Sequence, residues 1–185
     1  MSMRAFVALE ISGRAADSLV DFEKELLAAG ADIKFVEREN LHLNLRFLGE
    51  VTDAQAAEVQ SRLGRLAMKG AEVVIRGVGA FPSPSRPRVI WAGVAQEHEG
   101  HVTEIARQVI ESLEGIGERD DRPFRAHVTL GRVRSGRNMR ELGELLHENS
   151  GREFGTVILS EVKLKSSVLT PNGPVYRDAG VFRLS

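Results

Sequence analysis

The sequence predicts an α+β fold built from two related lobes of mainly antiparallel sheet, with a site in the groove between them. Strand-like and helical segments are mixed along the chain, and several strand pairs have links too short for a parallel crossover. Two segments that resemble each other, Asn40–Gly49 (NLHLNLRFLG) and Phe124–Arg132 (FRAHVTLGR), lie about half the chain apart, and each precedes a helical pattern. Two lobes that face one another would bring these segments together.

Four helices are predicted from capping residues and from apolar residues at helical spacing. Ser12 can cap the first helix, which we expect to end at Gly30. Thr52 and Gln55 form a capping-box pattern that opens the second helix, which we expect to reach about Lys69. The other two helices are predicted at 99–113 and 139–148, and the buried positions are expected to be Ala15, Leu19, Phe22, Leu26 and Leu27 in the first helix and Val102, Ile105, Ala106, Val109 and Leu113 in the third.

Strands are predicted where β-favouring apolar residues run between turn residues. The first, Arg4–Ile11, has the apolar composition of a central strand. Pro171, Asn172 and Gly173 indicate a turn before the last strand. The predicted strands are 4–11, 33–36, 41–48, 72–81, 89–94, 124–133, 156–169 and 175–184, and residues 82–87 (PSPSRP) are expected to form a loop.

Each of the two similar segments offers an imidazole and a neutral hydrogen-bonding group on one face of a strand. Because side chains alternate along a strand, His42 shares a face with Asn44, and His127 shares a face with Thr129. One such pattern alone is more often structural than catalytic, but two copies in similar settings favour a shared site. The opposite faces are apolar and are expected to be buried: Leu41, Leu43 and Leu45 in the first segment, and Ala126, Val128 and Leu130 in the second.

The length of 185 residues suits one domain or two tightly joined lobes, and we expect a single bilobal domain over residues 1–185. With 42% hydrophobic and 28% charged residues, the composition is that of a globular protein. The net charge of −1 excludes a protein whose overall charge attracts nucleic acid, but residues 122–140 contain six arginines and no acidic residue, so anion binding is expected there. The chain has no cysteine, which excludes disulfides, thiol nucleophiles and zinc–thiolate sites. No stretch is apolar enough to span a bilayer, and we expect a cytoplasmic protein with no membrane partner.

A pair of imidazoles supports acid–base catalysis without a metal. With pKa values near ~6.5, one ring can accept a proton from a nucleophile while the other donates one to a leaving group, which is worth about 10²–10⁴-fold in rate. The Asn44 amide and the Thr129 hydroxyl are suited to the non-bridging oxygens of a phosphate, and Arg132 would offset developing negative charge. Together these residues predict metal-free cleavage of a phosphodiester.

Other motifs give weaker indications of a functional site. His98 and His101 have the spacing of helical metal ligands, but no third ligand is evident, and we interpret them as a solvated helix end. Gly77 and Gly79 lack the context of a dinucleotide site, and there is no Walker A sequence. Four aromatic residues could stack on a base, although core packing is the favoured role for most of them: Phe6, Phe47, Trp91 and Tyr176.

The two motifs, HLNL at 42–45 and HVTL at 127–130, resemble the paired HxTx signatures of the 2H phosphoesterase superfamily. Wider phrases resemble the RNA 2′,3′-cyclic phosphodiesterases, which are also named 2′-5′ RNA ligases. These phrases are RAFVALEI, NLHLNLRFLGEV, RVIWAGV, HVTLGRV and PNGPVYR, and they extend over essentially the full chain.

The resemblance implies pseudo-twofold related lobes with outer helices and with both motifs lining the central cleft. It also implies hydrolysis of RNA 2′,3′-cyclic phosphate ends, or of small cyclic nucleotides, to 2′-phosphomonoesters by a monomer without metal or cofactor. His42 would protonate the departing O3′ and His127 would activate water, although substrate orientation could exchange these roles. Asn44, Thr129 and Arg132 would bind the phosphate.

Two features depart from the pattern of the family. Asn44 stands where the family usually has Thr; it still donates through its amide, so we expect altered affinity or rate rather than loss of function. Strict alternation would place Arg132 on the face opposite His127, unless Gly131 permits a bulge or ends the strand. Without such an irregularity, Arg132 would only solvate a surface.

Two alternative functions are left open. One is an RNA-end binding protein in which Asn44 has ended catalysis. The other is a 2H phosphoesterase or ligase that acts on 2′-5′ linkages or on another cyclic phosphate. The remaining arginines of residues 122–140 either follow an RNA backbone or form a solvated face.

Overall fold

An antiparallel sheet of nine strands carries four helices in the computed structural model, which describes residues 2–185. The strands are β1 (Ser2–Glu10), β2 (Ile33–Phe35), β3 (His42–Thr52), β4 (Ala71–Ser83), β5 (Arg86–Val94), β6 (His127–Val133), β7 (Glu153–Leu159), β8 (Glu161–Thr170) and β9 (Gly173–Arg183). The helices are α1 (Gly13–Ala28), α2 (Asp53–Leu63), α3 (Gln96–Ser112) and α4 (Met139–Glu148), and a 3₁₀ turn covers Arg38–Asn40.

The sheet consists of two halves that meet at the two histidine strands. Its order is β7-β4-β5-β6 and then β3-β1-β8-β9, with β2 beside β6. The halves join where Leu43 of β3 pairs with Val128 of β6, and within residues 2–185 this is the one residue pair in that register. All pairings are antiparallel, so the predicted α+β fold is confirmed, with its two halves joined in one sheet.

The two halves repeat one arrangement. β1 pairs with the first histidine strand, β3, and β5 pairs with the second, β6. The strand next to each of these pairs comes from the other part of the sequence. β4, which follows α2, pairs with β5, whereas β8, near the end of the chain, pairs with β1. Each half therefore depends on strands from both parts of the sequence.

The apolar faces of the histidine strands lie within the hydrophobic core as predicted, except that Ala126 precedes β6 and is only half-buried. Leu41, Leu43 and Leu45 are buried, and so are Val128 and Leu130. The predicted stripe of α3 is also buried, and the core cluster includes residues from both halves of the sheet. This burial turns the polar faces of both strands outward together.

Several boundaries differ from the prediction. α2 ends at Leu63 rather than near Lys69, because the chain beyond it exchanges backbone hydrogen bonds with the C-terminus, from Ser185 to Met68 and from Gly70 to Ser185. Residues 82–87 mostly extend a β-hairpin instead of forming a loop, 156–169 spans two strands, and the strand predicted at 124–133 begins at residue 127. Leu27 is 61% exposed, since the face of α1 that meets the sheet is already filled by its other apolar residues.

His98 is a structural residue, not part of a solvated helix end. Its Nδ1 accepts a hydrogen bond of 3.0 Å from the backbone N–H of Val74, which ties the start of α3 to β4. His101 is exposed. Within residues 2–185, no group of three or more His, Asp or Glu side chains is arranged to hold a metal ion, and no helix is long and apolar enough to cross a membrane.

Replacement of Leu43 by alanine should destabilise the protein, because it removes a fully buried side chain at the junction of the halves. We expect the free energy of unfolding to fall by about 2–5 kcal/mol. Leu27→Ala is the matched control and should change it by less than about 0.5 kcal/mol. Urea denaturation followed by circular dichroism measures both, and equal losses would contradict the assignment of the core.

Candidate active site

One cavity of about 790 Å³ collects the residues that the sequence singled out. His42, Asn44, His127, Thr129 and Arg132 all line it. The cavity opens on the polar side of the junction between β3 and β6. The structure therefore brings both motifs to one place.

The register of the junction sets the motifs crosswise. Leu43 pairs with Val128 in an antiparallel register, which, if it continued, would place His42 opposite Thr129 and Asn44 opposite His127. Continuous pairing would press these side chains against one another. The strands instead share one pair, which leaves room between the motifs for a small group.

The two histidines have the same backbone anchor. Nδ1 of His42 lies 2.6 Å from the carbonyl oxygen of Asn40, and Nδ1 of His127 lies 2.8 Å from that of Arg125. A carbonyl oxygen only accepts, so Nδ1 carries the proton in both rings. Each Nε2 is then left without a partner within residues 2–185, as a base when the ring is neutral and an acid when it is protonated.

Aromatic rings fix the orientation of both imidazoles. His42 packs against Phe6 at 5.1 Å between ring centroids and meets Tyr176 edge to face at 5.8 Å. His127 meets Phe81 edge to face at 5.1 Å. These contacts hold each ring in place, and Tyr176 and Phe81 also line the cavity.

Burial lowers the pKa of both imidazoles. For His42, the positive charges of Lys165 and of a protonated His127 lower the pKa further, while the hydrogen bond to Asn40 and the charge of Glu10 oppose this. For His127, the hydrogen bond to the Arg125 carbonyl opposes the effect of burial. Both rings therefore favour the neutral form near pH 7, and an anion placed between them would favour protonation of one.

A bulge in β6 returns Arg132 to the cavity. Thr129 is opposite Trp91 of β5, and Gly131 is opposite Ile90, so two steps along β6 match one step along β5. The alternation shifts by one residue, and Arg132 lines the same cavity as Thr129. A Cβ on Gly131 would lie 2.7 Å from Cγ2 of Ile33, so glycine also permits the close approach of β2.

Ion pairing divides the arginines of residues 122–140 into two groups. Four are occupied: Arg122 pairs with Asp120, Arg134 with Asp32 and Arg140 with Glu144, and Arg137 donates to the carbonyl of Gly30. Arg125 and Arg132 have no such partner within residues 2–185, and both line the cavity. Arg125 and Arg132 are thus the arginines of this segment whose guanidinium groups are free to bind a ligand in the cavity.

The neutral polar groups of the site are also free to bind a ligand. The side chains of Asn44 and Thr129 form no hydrogen bond within the described chain, and both line the cavity. Lys34 lies beside Arg132 in the register of β2 with β6 and adds a second cation to that wall. Its Nζ lies 3.4 Å from the carbonyl oxygen of Asn172, in the turn between β8 and β9.

A partly buried ion-pair network lies beside His42. Lys163 and Lys165 each bridge Glu10 and Asp178, and Glu10 is the register partner of His42 on β1. Although burial raises the pKa of Glu10, hydrogen bonds from the two lysines hold it below its ordinary value. The network is balanced in charge and stabilises the strand that carries the neighbour of His42.

Arg125, Tyr176 and Lys34 line the cavity but were not among the predicted site residues. Arg125 stood within the arginine-rich segment but was not distinguished from its neighbours. Tyr176 was considered only as an aromatic residue, although it follows the PNG turn at the cavity wall. Lys34 gave no signal, because its position depends on the pairing of β2 with a strand about 100 residues later.

A family model describes this chain in two successive parts. The model of the LigT-like phosphoesterases matches residues 9–91 and 93–176, and each part contains one histidine motif. The chain belongs to the LigT-like phosphoesterase family. The resemblance to the 2H phosphoesterases is thereby confirmed, and the two matches agree with the repeated arrangement of the sheet.

Relatives of this LigT-like phosphoesterase cover nearly its whole length. It is 39% identical over 180 residues to an RNA 2′,3′-cyclic phosphodiesterase of Archaeoglobus fulgidus, covering 97% of this chain and 99% of that protein. It is 38% identical over 187 residues to the protein of the same name from Methanothermobacter thermautotrophicus, covering 100% of both. Among solved structures, Escherichia coli LigT in complex with 3′-AMP has a TM-score of 0.80 at 21% identity, covering 100% of this chain and 99% of that one.

The geometry of the imidazoles predicts their titration. Nuclear magnetic resonance of ¹⁵N-labelled histidines should show that His42 and His127 titrate below about 6.5 and carry the neutral-state proton on Nδ1. Because the unfolded chain then binds more protons below that pH, the free energy of unfolding should decrease as the pH falls from about 6.5 through the folded pKa values.

Two variants assign the resonances to individual histidines, because His42→Gln and His127→Gln should each remove one set of histidine resonances. A neutral ring protonated on Nε2, or a pKa above about 6.5 in the free protein, would contradict the assigned hydrogen bonds and burial.

Proposed function

We propose that this protein hydrolyses the 2′,3′-cyclic phosphate at an RNA 3′ end, or in a small cyclic nucleotide, to a 2′-phosphomonoester. The observation that carries the proposal is the pair of imidazoles on adjoining strands, each anchored through Nδ1, above a cavity that holds two unpaired arginines. Relatives at 39% and 38% identity over nearly the whole chain are named RNA 2′,3′-cyclic phosphodiesterases.

The reaction needs one proton removed and one delivered. In the proposed step, neutral His127 accepts a proton from water through Nε2 while the water oxygen bonds to phosphorus. The bond from phosphorus to O3′ breaks, and protonated His42 gives its Nε2 proton to that oxygen. The two histidines have equivalent anchors, so the orientation of the substrate decides which ring takes which role.

The cations and neutral donors would act on the phosphate itself. Arg132 would neutralise the charge that develops on the non-bridging oxygens, and Thr129 and Asn44 would donate hydrogen bonds to them. Because Asn44 lies on β3, Thr129 lies on β6 and both line the cavity, the phosphate would be held from both strands. Asn44 reaches further than a Thr side chain, so it would tune affinity or rate.

The proposed unit of function is a monomer with one bilobal domain, acting in the cytoplasm without a metal or cofactor. Every residue assigned to the site comes from a single chain, and the hydrophobic core includes residues from both halves of the sheet. Size-exclusion chromatography with light scattering, at concentrations where turnover is measured, tests the proposed oligomeric state.

Asn44 is the observation that favours a second candidate, an RNA-end binding protein without catalysis. In that case the cavity and its arginines would retain a phosphate, but the crosswise pair of Asn44 and His127 would not support the transition state. The two functions differ in one measurement, namely whether bound RNA with a cyclic phosphate end is converted.

Turnover should depend on both histidines and not on a divalent ion. With EDTA present, an RNA oligonucleotide ending in 2′,3′-cyclic phosphate should yield a 2′-phosphate, and His42→Ala and His127→Ala should each lower kcat by about 10²–10⁴-fold. His101→Ala, an exposed histidine outside the cavity, is the matched control. Binding without conversion by the wild-type protein would favour the second candidate.

A substrate with sulfur in place of O3′ shows which histidine is the general acid and which is the general base. A thiolate leaves without a proton, so the variant that lacks the acid should recover turnover on this substrate and the variant that lacks the base should not. Recovery of His127→Ala instead of His42→Ala would exchange the two roles and retain the reaction.

Arg132 should contribute more to turnover than other arginines of the same segment. Arg132→Ala should lower kcat/KM for the cyclic phosphate by about 10²–10³-fold, because it removes a cation placed at the developing charge. Arg140→Ala removes an arginine that pairs with Glu144 outside the cavity and should leave kcat/KM unchanged. Equal effects of the two substitutions would refute the bulge-dependent role of Arg132.

A further inference from the structure

A second cavity of about 400 Å³ lies against His127, beside the first. The two cavities share Phe81, Phe124, Arg125 and His127 in their walls. The proposed hydrolysis of a cyclic phosphate uses only the first cavity. A group in the second would be close to the reacting phosphate without taking part in the chemistry.

Trp91, the only tryptophan of the chain, forms part of the wall of this second cavity. Its ring lies across the sheet over the neighbouring strand, where a Cβ on Gly79 would be 2.4 Å from Cζ2 of the indole. Phe81 supports the indole at 5.5 Å between ring centroids. Trp91 is half-buried, so part of this fixed aromatic surface is left open to the cavity.

Arg125 lies where the two cavities meet. Its backbone carbonyl anchors His127, so its position is tied to the catalytic strand. Its guanidinium has no carboxylate partner within residues 2–185, unlike those of Arg122, Arg134 and Arg140 in the same segment. An unpaired guanidinium between two cavities is suited to a phosphate that links two occupants.

We propose that the second cavity binds the penultimate nucleobase of an RNA end, stacked on Trp91, with the phosphate that links it to the terminal nucleotide placed at Arg125. This proposal rests on the proposed hydrolysis of cyclic phosphate ends. The terminal nucleoside occupies the larger cavity, whose own aromatic walls include Tyr176 and Phe47. Stacking tolerates any base, because every base has a π face, so the site selects chain length rather than sequence.

The test compares a mononucleotide 2′,3′-cyclic phosphate with a dinucleotide that carries the same terminal group. Wild type should prefer the dinucleotide in kcat/KM by about fivefold to 150-fold, the range that one stacked base provides. Trp91→Ala should remove most of this preference, chiefly through KM, and Trp91→Phe should restore much of it. Arg125→Gln, which leaves the indole and its packing in place, should reduce the salt dependence of log KM for the dinucleotide by about 0.7.

Arg140→Gln is the matched control and should change neither the preference nor the salt dependence. An equal kcat/KM for both substrates in the wild type, or a preference that survives Trp91→Ala, would overturn the proposal. So would an equal loss on both substrates with Trp91→Ala, which would assign the cavity to the terminal base. Turnover of the mononucleotide by wild type tests the proposed hydrolysis separately, since that substrate has no penultimate base.

Discussion

The single residue pair that joins β3 to β6 is the constraint on which the site depends. Leu43 and Val128 are fully buried, so the hydrophobic core fixes the register of the two strands from below. That register brings the polar faces of both motifs to the same cavity. Because the strands separate after this pair, the four side chains surround a space instead of filling it. Burial on one face of the sheet thus determines the chemistry on the other.

The placement of the histidines could be predicted from the sequence because side chains alternate between the two faces of a strand. Leu41, Leu43 and Leu45 required burial, and this turned His42 and Asn44 toward a common face. For Arg132, the sequence predicted only that the side chain would reach the site if Gly131 permitted a bulge or ended the strand. Whether a bulge forms depends on the strands packed beside it, and here β2 approaches Gly131 too closely for a side chain.

In the arginine-rich segment, local ion pairs could be predicted from the sequence, but pairs between distant residues could not. The pairing of Arg140 with Glu144 follows helical i,i+4 spacing, and that of Arg122 with Asp120 is local, so both could be read from the chain. The pairing of Arg134 with Asp32 joins residues about 100 positions apart and needs the fold. Only after these partners are known do Arg125 and Arg132 stand out as the arginines of the segment that line the cavity without a partner within residues 2–185. The types of the helices and strands were predicted well because periodicity is a local property of the sequence. Their ends were predicted less well because they depend on distant residues, as the end of α2 depends on the C-terminal residues.

The two halves match at the histidines and differ around them. His42 stands beside a charge-balanced network centred on the buried Lys165, and the charge of that lysine disfavours protonation of the ring. His127 stands beside Phe81 and, beyond it, the cavity formed with Trp91. A pair of equivalent catalytic groups would accept a phosphodiester in either direction. The surroundings break this equivalence, because the open aromatic cavity formed with Trp91 lies beside His127, whereas a charge-balanced ion-pair network lies beside His42. A substrate with a base that can stack is then oriented by the walls rather than by the acid and base.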